Sequence, residues 1–213
     1  GEAAPAITYW GPQLPLGAED DLDPALLERA IPHGMLDGGE VFDLFPEAGR
    51  GFTGRPALEC RRADGGFVTQ LAWGGAAPIA GGHAITLRDD LAGVEAVLSV
   101  TLDPATGVAG FRTRIVNRAD TPLGLDWVSA AALPPPGGEL LLFDGRWARE
   151  FRLTRRALGP GAVVQENRTG RTSHHAPPFL VAGERGFGEH HGEVLGLHLA
   201  WSGDHRLVAE RLR

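Results

Sequence analysis

Apolar and polar residues alternate with a period of two along much of the chain. The clearest run is Val94-Glu95-Ala96-Val97-Leu98-Ser99-Val100-Thr101-Leu102. Successive side chains of a strand point to opposite faces, so this spacing predicts a strand. Asp103-Pro104-Ala105-Thr106-Gly107 reads as a turn, because proline presets φ and glycine tolerates positive φ. Residues 108–117 then read as the returning strand, with Phe111, Thr113 and Ile115 on one face and Arg112 and Arg114 on the other. A second turn, Asn117 to Pro122, leads into Leu123–Ala132, which is expected to continue the meander. Alternation recurs in Ala57-Leu58-Glu59-Cys60-Arg61 and again from Glu193 to Trp201.

Helix signals are sparse. Asp23-Pro24 followed by Ala25-Leu26-Leu27-Glu28-Arg29-Ala30 combines an N-cap residue with proline at the first helical position, enough for one short helical turn. Residues 32–56 read as a long irregular loop rich in Gly, Pro and Asp, with Phe42, Leu44 and Phe45 as anchors. Loops of this length inside a compact domain are usually functional or interfacial. Pro134-Pro135-Pro136-Gly137-Gly138 is a stiff connector, too short for a domain linker, and no internal repeat is present. Many short strands separated by Gly/Pro turns predict an all-β sandwich or barrel. Residues 1–213 are expected to form one domain.

Composition narrows the function classes. Lys and Arg total 20 against 27 Asp and Glu, a net charge of −7, which disfavours nucleic-acid binding because phosphates need a basic face. No apolar run approaches the roughly 20 residues that span a bilayer, and no membrane partner is expected. All the basic residues are Arg. Chemistry that needs a lysine, including a Walker-type phosphate loop, is therefore excluded within these residues. The single cysteine, Cys60, rules out an internal disulfide framework and reads as a small buried core residue. No basic segment followed by an apolar stretch opens the sequence, and a cytoplasmic location is expected.

Four clusters invite a catalytic or metal reading. His174-His175 and His190-His191 are adjacent doublets, but neighbours on a strand face opposite ways and neither doublet chelates with both rings. No cysteine pair or HExxH spacing accompanies them, so no metal and no cofactor is expected. Asp89-Asp90 and Glu19-Asp20-Asp21 offer carboxylates. Retaining glycoside hydrolysis needs two carboxyl groups about 5–5.5 Å apart, which adjacent residues rarely supply. Ser173 and Ser202 lie outside a GxSxG elbow. No catalytic residue is assigned within the chain.

The second half carries a resemblance. Leu142-Phe143-Asp144-Gly145-Arg146-Trp147-Ala148-Arg149-Glu150 is similar to a Leu-x-Gly-x-Trp-x-Arg-Glu segment, and Gln165-Glu166-Asn167-Arg168-Thr169-Gly170-Arg171-Thr172-Ser173-His174 to a Glu-Ser-Arg-x-Gly-x-Ser-Ser-His motif. Pro178-Phe179-Leu180, Glu189 to Leu197 and Trp201-Ser202-Gly203-Asp204 follow in the same order. These segments resemble the amino-terminal region of family 36 glycoside hydrolases, the α-galactosidases. The first half agrees more loosely, through Tyr9-Trp10-Gly11, Leu27-Glu28-Arg29-Ala30, Phe45-Pro46, Arg55-Pro56-Ala57 and the strand from Arg112 to Asn117. The acidic residue usually placed before the Arg-x-Pro-Ala element is missing, and the segment around residues 74–90 is abbreviated.

The resemblance implies a galactose-mutarotase-like β-supersandwich of two packed, mostly antiparallel sheets, followed in the family by a (β/α)₈ barrel and a smaller β-domain. Hydrolysis of terminal α-D-galactosides belongs to the barrel, whose nucleophilic Asp sits in a Lys-Trp-Asp context. With no lysine, that motif is absent here. Scaffolding and homo-oligomerisation are the roles implied for this region. In some tetrameric relatives a carboxylate of the Leu-Asp-Arg-Ala segment helps line a neighbouring active site. The matching positions are Glu28 and Arg29, which become the candidate substrate-binding residues. Trp147, Arg149, Glu150, Glu166 and Arg171 are expected to form an aromatic core with satisfied Arg–carboxylate pairs, rather than a direct sugar contact. The alternatives are a stand-alone carbohydrate-binding module and a mutarotase-like epimerase with a His and a Glu facing one groove.

Overall fold

The computed structural model describes residues 4–7, 9–10, 42–134 and 137–212. The expected helical turn over residues 23–30, with Glu28 and Arg29, lies outside the described residues, as do Glu19-Asp20-Asp21. Two compact units are present, one up to Leu133 and one from Pro134 onward. Apart from one 3₁₀ turn, Ala48–Arg50, every described regular element is a strand. The chain is all-β, as expected.

In the first unit, β1 spans Leu58–Arg62, β2 Ala72–Ile79, β3 Gly82–Asp89, β4 Val94–Asp103, β5 Val108–Asn117 and β6 Leu123–Val128. Strands β2 to β5 form one antiparallel meander. Ala80 and Gly81 make the β2–β3 turn, where Gly81 has φ 73°, a left-handed conformation that suits a tight hairpin. At the β4–β5 turn the Asp103 carboxylate accepts from Ala105 N and Thr106 Oγ1 at 3.0 and 2.7 Å. The register Leu87↔Ala96↔Ile115 and Ile85↔Leu98↔Thr113 puts one apolar row per pleat on the same face. That face packs into a core with Phe45, Leu71 and Val94, all fully buried. The predicted facing of β5 holds.

Strand β6 departs from expectation. It leaves the meander and pairs with β1. Period-two alternation identifies a strand but carries no information about which edge it joins. Cys60 is buried on β1, as read from the sequence.

The segment before β1 is a buried strap. Asp43, Leu44, Phe45 and Glu47 are each less than a tenth exposed. Burying irregular backbone requires internal acceptors, and two carboxylates supply them. Asp43 accepts from Phe45 N at 2.8 Å. Glu47 accepts from Thr69 Oγ1 at 2.6 Å and Leu71 N at 2.8 Å.

In the second unit, β7 spans Glu139–Arg146, β8 Arg149–Ala157, β9 Gly161–Asn167, β10 Phe179–Gly183, β11 Val194–His198 and β12 His205–Arg211. One sheet has the order β11-β10-β7-β8 and a second pairs β9 with β12. Their core is built from Leu140, Leu158, Val163, Leu180, Ala182, Leu207 and Ala209, with Leu142, Leu197 and Leu199 packed against it.

Candidate functional site

The site lies in the second unit and begins at the β7–β8 hairpin. Its tip is Trp147-Ala148, and Ala148 takes φ 61°. Glu150 caps this turn by accepting from Ala148 N at 2.9 Å. Phe151 also has positive φ, 52°, a conformation uncommon for a bulky residue and found where surrounding structure holds it for a purpose. Trp147 is 83% exposed and Phe151 61%. The expected aromatic core is thus overturned at Trp147, and none of the five tryptophans is fully buried. A hairpin tip cannot bury a side chain unless another element lies over it.

Two sequence motifs converge behind this hairpin. The loop following Glu166 is stitched to the Trp201-Ser202-Gly203-Asp204 loop. Gly170 N donates to Asp204 Oδ1 at 2.6 Å, and Asn167 Nδ2 donates to Gly203 O at 3.3 Å. The same Asn167 amide donates to Arg171 O at 2.7 Å, closing its own loop. Trp201 Nε1 donates to Asp204 O at 3.1 Å, which fixes its indole while leaving 61% of the residue exposed. Arg168 lies 2.9 Å from the Glu166 carboxylate, and Arg206 pairs with it from β12. These two guanidiniums, Arg168 foremost, hold the Glu166 carboxyl below the usual carboxylate range. Glu166 is therefore satisfied by arginines, but by Arg168 and Arg206 and not by the expected Arg149 or Arg171, while Glu150 caps the hairpin turn.

Between the hairpin and these loops lies an open cleft of about 580 Å³. Phe151, Phe179, His198 and Trp201 give it an aromatic wall, while Glu150, Thr172, His174 and Ser202 supply polar groups. His174 Nε2 stands 4.0 Å from Glu150 Oε1, and the His174 ring lies 6.3 Å from that of Trp147. Ser173 is buried against the cleft, with no hydrogen-bond partner for its Oγ.

Glu150 is the one carboxylate lining the cleft among the described residues. Two-carboxylate glycoside hydrolysis needs a second one within several ångströms, so the cleft lacks that arrangement. Asp89, the other sequence candidate, caps a turn by accepting from Gln70 N and Ala92 N. His191 bonds the Gly186 carbonyl at 2.8 Å, and His175 and His190 are exposed. Among the described residues no group of three or more His, Cys, Asp or Glu is gathered as a metal site. Sequence reasoning missed His198 and Phe179 as cleft residues. The period-two pattern of β11, in which His198 falls on the face of Val194, was the available signal.

A glycosyl hydrolase family 36 N-terminal domain model matches residues 3–213. The sequence is 34% identical over 209 residues to an alpha-galactosidase of Escherichia coli, covering 96% of this chain and 28% of that protein. The fold is similar to the GH36 alpha-galactosidase AgaA of Geobacillus stearothermophilus, with TM-score 0.82 and 23% identity, covering 100% of this chain and 33% of that one. A variant of the same enzyme in complex with stachyose gives TM-score 0.82 at 24% identity, over 99% of this chain and 33% of that one. The chain therefore spans between a quarter and a third of the length of these relatives.

Proposed function

Because the chain belongs to the glycosyl hydrolase family 36 N-terminal domain family, we propose that it is the non-catalytic amino-terminal sandwich of an α-galactosidase. In this reading a further part of the same polypeptide hydrolyses terminal α-D-galactosides, and these residues serve in scaffolding and oligomerisation. The observation that carries it is the family match over residues 3–213, joined to a cleft with a single carboxylate. The complexes of the Geobacillus enzyme with stachyose and raffinose suggest oligosaccharides ending in α-galactose as the substrate class. Glu28 and Arg29 are proposed to reach a neighbouring subunit's active site, on the strength of the Leu27-Glu28-Arg29-Ala30 resemblance.

The test is the whole gene product. It is expected to release galactose from raffinose, and a product that leaves raffinose intact while folded would overturn the reading.

Of the alternatives, the epimerase draws on Glu150 and His174 sharing one cleft. An accelerated change in the optical rotation of α-D-galactose caused by the 213-residue chain, lost in Glu150→Gln, would favour it over the non-catalytic reading.

A further inference from the structure

The strap from Asp43 to Arg50 gathers two carboxylates that the candidate site does not use. Asp43 and Glu47 are 3% and 4% exposed, four residues apart in irregular backbone. Arg50 is the cation beside them. Its Nε lies 3.5 Å from Glu47, while its Nη2 donates to Leu71 O. The segments packed on the strap, residues 4–7, 69–71 and 129–133, carry no charged side chain. The Cys60 thiol on β1 feels the Glu47 charge and is itself kept neutral by burial. Arg55 and Arg62 are engaged by Glu59 and Asp64, and Asp89 by the amides of Gln70 and Ala92. Among the described residues, two buried carboxyls thus face one guanidinium. A charge buried without its own partner is costly, and a carboxyl in that position keeps its proton instead.

The strap also holds other segments in place. Leu44 N donates to Pro5 O at 3.0 Å, and Leu44 O accepts from Ala132 N at 3.3 Å. Residues near both ends of the first unit are therefore tied to one buried position. Phe45 sits fully buried in the core, with its amide held by Asp43. Glu47 receives Thr69 Oγ1 and Leu71 N, and Gln70 Nε2 donates to Gly49 O.

We propose that this strap is a pH-sensitive latch, seated while Asp43 is protonated and loosened when Asp43 ionises near Glu47, which frees the ties to Pro5 and Ala132. Burial raises the Asp43 carboxyl to about 6 and raises that of Glu47 as well, in keeping with this arrangement. A carboxyl that is protonated in the seated strap and ionised in the open one favours opening as pH rises. The change falls between pH 3.8 and about 6, levels off above that window, and amounts to about a hundredfold in the opening equilibrium.

Amide hydrogen exchange of the full gene product, read by mass spectrometry from pH 4 to pH 7, tests this. After correction for the intrinsic pH dependence of exchange, the peptide holding Leu44 and Phe45 should lose about tenfold or more in protection, while β4 keeps its own. A smaller loss in the strap overturns the proposal. So does an equal loss in the strap and β4, which would mean that the whole unit opens. Asp43→Asn and Asp43→Ser remove the titrating group and leave an acceptor for Phe45 N. In either variant the strap's protection should no longer fall with pH, and a fall that persists in a folded variant overturns the assignment to Asp43. If neither variant folds, the wild-type profile decides alone.

Discussion

Asp43→Asn should stabilise the protein at neutral pH, and the gain should disappear in acid. Asp43 is 3% exposed, and its carboxyl pKa is pushed from 3.8 to about 6, chiefly by burial. The hydrogen bond from Phe45 N and the charge of Arg50 oppose this shift, and the charge of Glu47 adds to it. A carboxyl whose pKa is raised on folding holds a proton that the unfolded chain releases. Stability therefore falls as pH rises through the window from 3.8 to about 6. A shift of about two units corresponds to roughly 3 kcal/mol between pH 4 and pH 7. Asparagine keeps the acceptor for Phe45 N but adds an amide donor with no evident partner, a constant cost of about 1–2 kcal/mol. The net expectation is a gain of about 1–2 kcal/mol at pH 7, turning to a loss of similar size below pH 4. Urea unfolding of wild type and variant, followed by tryptophan fluorescence at several pH values, measures the difference. A wild type minus variant difference that stays flat from pH 4 to 7 would refute the reasoning, whatever its sign.

Two further substitutions probe the two units separately. Glu95 is buried beneath Arg88 and Arg118, each 2.8 Å from its carboxylate, and Arg88 foremost holds its pKa below the usual range. Glu95→Gln should cost about 1–3 kcal/mol at pH 7. That cost should shrink as pH falls through the lowered folded pKa, where the native charge is itself lost, and an unchanged midpoint in urea at pH 7 would contradict it. Leu140 is 1% exposed at the centre of the second core. Leu140→Ala should lose about 2–5 kcal/mol by methyl removal and cavity formation, and a loss under about 1 kcal/mol would mean that the core collapses to fill the gap.

What the sequence disclosed depended on how local the determining physics is. The β4 strand, the Asp103–Gly107 turn and the β5 strand were visible because alternation and turn chemistry act within a few residues. The partner of β6 was not, since joining β1 requires contacts some 65 positions away, such as Arg61 with Asp126. The stretch from Asp43 to Glu47 reads as loop because its two carboxylates signal solvent. Asp43 accepts from Phe45 N only two residues on, whereas Glu47 is held by Thr69 and Leu71 from a segment more than twenty residues away. Trp147 misled for a related reason. The large apolar surface of a tryptophan suggests a core, but the position of Trp147 at the hairpin tip leaves it exposed. The motif residues around Glu166 and Trp201 were recognisable as family segments. That they are tied together, by Gly170 to Asp204, was accessible only in three dimensions.

The proposed function separates membership of an α-galactosidase from possession of its chemistry. The most direct test is turnover of an aryl α-galactoside by the purified 213-residue chain beside the full gene product. Hydrolysis is expected from the longer protein and none from the chain alone. Turnover by the chain alone, abolished by Glu150→Gln, would contradict it.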